Sequence, residues 1–106
     1  MGEKLFTVGL EDSENDRYRF ECRTAKGRVV LFSIQYEAKI QGKWVAIIRF
    51  DTAHGFPHQD TMHPGKSETK TRFPGLTNSQ VLTLGQNDIK ENWRKYRTAY
   101  EREMEK

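Results

Sequence analysis

The sequence predicts an α+β fold: an antiparallel β-sheet, built as a meander of hairpins, with a C-terminal amphipathic helix packed on one face. Two-residue apolar alternation runs through residues 17–52, glycine-bearing turns separate the alternating runs, and an apolar repeat of three to four residues begins after residue 88. A chain of 106 residues is enough for one domain and one core. With 35% apolar residues that core is thin and leans on two Trp, four Tyr and six Phe.

The N-terminal stretch 1–16 reads as an acidic arm or edge strand. Lys4–Leu10 can extend, and Glu11–Asp16 is turn-like. Arg17–Arg23 then alternates strictly, with Tyr18, Phe20 and Cys22 on one face and Arg17, Arg19, Glu21 and Arg23 on the other. After Ala25-Lys26-Gly27, a long strand from Arg28 to Ile40 places Val30, Phe32, Ile34, Tyr36, Ala38 and Ile40 together. Gln41-Gly42 turns the chain, and Lys43–Thr52 returns. Alternation there puts Trp44, Ala46, Ile48 and Phe50 on one face and Val45, Ile47, Arg49 and Asp51 on the other. The meander therefore spans 17–52 in a sheet of four to six strands.

Residues 53–76 are too long for an idle loop, and Gln59–His63 with Glu68–Phe73 reads as a hairpin around Pro64-Gly65-Lys66-Ser67. In the helical C-terminus, 77–106, Thr77 and Gln80 fit a capping box for a short helix that Gly85 ends. A second helix is expected from Asp88, with Ile89, Trp93, Tyr96, Tyr100 and Met104 as its docking stripe.

The net charge of +3 is unevenly placed. Residues 1–16 set Lys4 against Glu3, Glu11, Asp12, Glu14 and Asp16, a balance of −4, which leaves +7 on the rest. A basic body is compatible with a polyanion such as nucleic acid, and equally with an ordinary solvated surface. A single cysteine, Cys22, excludes an internal disulfide and a cysteine zinc ribbon. With neither a secretion signal nor an apolar run long enough to span a bilayer, the expected location is the cytoplasm.

The chemistry concentrates in Arg49–His63, which holds all three histidines with Asp51 and Asp60. Asp51, His54 and His58 have separations that a divalent metal could use. No stereotyped ligand motif accompanies them, so no metal or cofactor is expected. Metal-free RNA cleavage needs a proton acceptor, a proton donor and a cation for the phosphate. His54, His58, His63 and Asp51 are the candidate catalytic residues, with Arg49, Lys66, Lys70 and Arg72 as phosphate contacts. A non-catalytic module remains the alternative, in which Arg17 and Arg19, together with Lys66, Lys70 and Arg72, track RNA phosphates. A homodimer could bury Val29, Leu31, Val45 and Ile47, all assigned to the outer face.

The run Arg49-Phe50-Asp51-Thr52-Ala53-His54 after an apolar strand, followed by His58 and His63 and a Pro-Gly turn, resembles the small TumE-type toxins of two-gene toxin-antitoxin modules. The likeness covers residues 28–75, with Thr52 where that family favours Asn. It implies a cytoplasmic prokaryotic protein acting on RNA or nucleotides beside a cognate antitoxin-like partner.

Overall fold

The computed structural model describes residues 1–105 and, at His54, the backbone alone. Six strands follow one another as an antiparallel meander: β1 (Gly2–Gly9), β2 (Asp16–Ala25), β3 (Arg28–Ile40), β4 (Lys43–Asp51), β5 (His58–His63) and β6 (Lys66–Arg72). One helix, α1 (Asn78–Met104), packs across one sheet face, mainly on β3 and β4. The α+β fold expected from the sequence is the fold observed. The acidic N-terminal stretch supplies an edge strand, β1, paired in register with β2.

The inner face, under the helix, carries the core. Tyr18, Phe20 and Cys22 of β2 sit beside Phe32, Ile34 and Tyr36 of β3, and Ile48 and Phe50 of β4 complete the layer. Two β-bulges shift the strict alternation. One falls opposite Tyr36/Glu37, so Ile47 of β4 is an extra residue and Glu37 pairs with Ala46. Trp44 and Ala46 consequently lie on the outer face with Arg49 and Asp51, not in the core as alternation assigned them. There the Arg17 guanidinium sits 3.8 Å over the Trp44 ring. The second bulge, opposite Arg23/Thr24, makes Val30 the extra residue and leaves it exposed. The four residues offered above for a homodimer are separated by these bulges. Val29 and Val45 pack against the core and Ile47 is buried, so only Leu31 keeps an exposed outer-face side chain.

The helical segment also departs from expectation. A single helix runs from Asn78 to Met104, through Gly85 and past Asp88. The Thr77/Gln80 capping box is present: Thr77 Oγ1 accepts from the Gln80 N–H and Gln80 Oε1 from the Thr77 N–H. Asp88 is an interior residue whose carboxylate accepts from Asn92 and Tyr96. Val81, Gly85, Ile89 and Trp93, four residues apart, form the buried stripe, while Met104 is exposed.

The turn before β2 is locked to the helix through Asp16. Its buried carboxylate accepts from Tyr36 Oη at 2.6 Å, Ser13 Oγ at 2.5 Å and Arg97 Nη1 at 3.0 Å. Burial, and then the bond to Asp16, push the Tyr36 phenol far above its ordinary range, so it stays a donor.

Candidate functional site

Register decides which side chains of the histidine segment meet. In an antiparallel pair, directly opposed residues share a face. Asp51 lies opposite His58 and Arg49 opposite Asp60, so all four emerge together on the outer face, away from the helix. Gln35 of β3 is opposite Arg49, and on β6 Lys70 is opposite Asp60 and Arg72 opposite His58.

The end of β4 is fixed by local chemistry. Thr52 Oγ1 accepts from the Phe32 N–H at 3.0 Å, and the Thr52 N–H donates to the Phe32 carbonyl at 3.1 Å, tying the strand end to β3. Asp51 Oδ1 accepts from the Ala53 N–H, the side-chain-to-backbone turn that aspartate favours. A 3-10 turn over Ala53–Gly55 follows, with Gly55 at φ +88° giving the left-handed bend that leads into β5.

Within the cluster, His58 is buried and lies between two carboxylates. Its Nδ1 is 3.2 Å from the Phe56 carbonyl oxygen, which can only accept, so Nδ1 carries a proton. Its Nε2 is 3.1 Å from Asp51 Oδ1 and 3.5 Å from Asp60 Oδ2. Arg49 bridges the same acids, Nε to Asp51 Oδ2 at 3.0 Å and Nη2 to Asp60 Oδ2 at 2.9 Å. Lys70 Nζ reaches Asp60 Oδ1 at 3.1 Å. Burial alone would raise the Asp60 pKa, but hydrogen bonds from Arg49 and Lys70, with the charge of Lys70, outweigh it and hold the carboxyl below its ordinary value. The bond to Asp60 in turn raises the Lys70 pKa.

The network continues along the outer face. Arg49 Nη1 contacts Gln35 Oε1 at 3.4 Å, Gln35 Nε2 donates to Glu37 Oε2 at 2.6 Å, and Glu37 Oε1 accepts from Arg17 Nε at 2.8 Å. Beside this chain a cavity of about 240 Å³ opens, bordered by Leu5, Arg19, Glu21, Ser33, Gln35, Arg49 and Asp51. Asp51 and Arg49 are the two members of the cluster that reach the cavity wall. His58 and Asp60 stand behind them.

The sequence-derived candidates thus divide. Asp51, His58, Arg49 and Lys70 converge. Arg17 and Arg19 lie on the same face, near Glu37, and Arg72 flanks the cluster with its guanidinium 4.6 Å over the Phe56 ring. His63 is held elsewhere: alternation along β5 places it on the face of Gln59 and Thr61, toward the helix and away from Asp60, where Nδ1 pairs with Glu103 at 2.9 Å and Nε2 with Thr69 at 2.7 Å. Lys66 pairs with His63 at the far end of that hairpin. The His54 side chain lies outside the described residues. Asp60, Gln35 and Ser33 were not among the candidates. The parity of His58 and Asp60 on one strand, and the polar positions Ser33, Gln35 and Glu37 on β3, were the available signals.

In comparison with known families, the profile described as "Domain of unknown function (DUF7718)" matches residues 1–106. No curated protein and no solved structure matches the chain.

Proposed function

The chain belongs to the DUF7718 family, whose description assigns no activity, and we propose from the site itself that it is a toxin-like, RNA-directed protein working at the outer-face cavity. The observation that carries this reading is that a buried ionic cluster surfaces in a polar cavity of about 240 Å³ through one carboxylate, Asp51, and one guanidinium, Arg49. A guanidinium is suited to phosphate oxygens, and Arg19 offers a second on the same wall. Asp51 serves as acceptor for the ribose 2′-hydroxyl proton. His58 does not border the cavity, so it acts through Asp51 as a positioning residue. The resemblance to TumE-type toxins supports the same direction, and with it a cytoplasmic setting and a cognate antitoxin-like partner.

Incubation of the purified protein with total cellular RNA tests this reading. Wild-type protein is expected to cleave it, and Asp51→Asn to lose about 100-fold or more of the rate, the typical worth of a proton acceptor, while binding changes little. Absence of cleavage and of RNA binding would overturn the proposal. Binding without turnover would replace it with the second reading, a non-catalytic RNA-binding module. One observation favours that alternative: Arg17 and Lys70, two of the phosphate-contact candidates, are each held by a buried carboxylate, as fixed elements of a binding surface would be.

A further inference from the structure

The cluster behind the cavity has a property that RNA recognition does not require. Asp51, His58 and Asp60 each present one ligand-type atom, and these atoms lie within 4.8 Å of one another at a buried point between β4 and β5. We propose that these three residues bind one first-row divalent cation of the zinc, cobalt or nickel class.

The distances suit such an ion. Bonds of about 2.0–2.2 Å arranged tetrahedrally place neighbouring ligand atoms roughly 3.3–3.6 Å apart. His58 Nε2 stands 3.1 Å from Asp51 Oδ1 and 3.5 Å from Asp60 Oδ2, close to that spacing. Imidazole among the ligands selects against magnesium and calcium, which take oxygen.

The outer contacts are also those of a metal site. A ligating histidine ordinarily donates its second ring N–H to a carbonyl or carboxylate, fixing tautomer and ring plane. His58 Nδ1 does so to the Phe56 carbonyl. Arg49 steadies Asp51 at Oδ2 and Lys70 steadies Asp60 at Oδ1, while Asp51 Oδ1 and Asp60 Oδ2 face the ring even though each also accepts a bond, from the Ala53 N–H and from Arg49 Nη2 respectively. Electrostatics set the opposing term. Arg49 and Lys70 already offset both carboxylates, so they compete with a dication and hold its affinity below that of a cation-free site. The alternative occupant of the position between Nε2 and the two oxygens is a second ring proton, making His58 an imidazolium.

Titration of the full chain with Co²⁺, read by visible absorption and by the ¹⁵N shifts of the His58 ring, separates the two. The expected result is one equivalent bound with an absorption band of low-coordinate cobalt. Asp51→Asn is expected to weaken binding at least tenfold, as loss of a ligand does. Lys70→Met, at a half-exposed position, is expected to tighten binding by removing a competing cation. Absence of the band at millimolar Co²⁺, His58 protonated on both nitrogens under the same conditions, or affinity unchanged in both variants would overturn the assignment. Asp51 is also the proton acceptor of the RNA reading, so RNA binding and cleavage are measured on metal-free protein and Co²⁺ binding without RNA, which keeps failure of one reading distinguishable from failure of the other.

Discussion

Replacing Asp60 with alanine is expected to lower the stability of the fold by about 3 kcal/mol, within the range for removing one partner of a buried ionic group. Asp60 is 1% exposed and accepts from Arg49 and Lys70 beside His58. Its loss leaves the positive charge of Arg49 and Lys70 facing a desolvated space. The half-exposed Lys70 can turn to water, which keeps the cost near the lower end. For a domain of this size the midpoint of thermal unfolding should fall by roughly 12–24 °C. The effect also has a pH signature. The Asp60 carboxyl is held below its ordinary value of 3.8 when folded. A carboxyl depressed in this way adds stability above the unfolded-state value, and that stability is lost as pH falls through the folded-state value. The wild type should therefore lose stability more steeply than Asp60→Ala below about pH 4. A variant within 1 kcal/mol of wild type at pH 7, with an unchanged acid limb, would show that the cluster is not what fastens β5 and β6 to the sheet.

The second large effect is expected at Gly85. A Cβ at this position would lie 2.6 Å from Phe50 Cγ and 2.8 Å from Cδ1, closer than carbon atoms approach. Phe50 is fully buried and cannot move aside cheaply. Gly85→Ala gains up to about 1 kcal/mol of helix propensity. The overpacking penalty of about 1–3 kcal/mol opposes it. The prediction is net destabilisation for alanine and a larger loss for Gly85→Val, measured by urea unfolding. A stabilised Gly85→Ala would mean that α1 sits farther from β4 than the structure has it.

Gly85 also shows where sequence reasoning stopped. A glycine followed by Asp88 and Glu91 has the local signature of one helix ending and another starting, and nothing local reveals that the glycine is there for Phe50, thirty-five positions earlier. The bulges opposite Tyr36/Glu37 and Arg23/Thr24 were hidden for a similar reason. An extra residue in one strand is set by pairing across the sheet, so alternation read along β4 alone sent Trp44 to the wrong face. The meander, its turns and the helix stripe at Ile89, Trp93, Tyr96 and Tyr100 were legible because each depends on near neighbours in the chain. The candidate site was legible in part. Asp51, Arg49 and His58 sit on or beside a strand whose end could be seen, and alternation along β5 already sets His63 on the face opposite Asp60, whereas the meeting of Asp60 with Arg49 and Lys70 depends on register across three strands.

The central claim is that the outer-face cavity at Asp51 and Arg49 is where RNA is engaged. Backbone and side-chain NMR shifts during titration with a short single-stranded RNA test it most directly. The account predicts perturbations centred on Arg19, Ser33, Gln35, Arg49 and Asp51, with α1 unaffected along its exposed face. Saturating RNA that leaves these residues unmoved, or shifts confined to the helix, would contradict it.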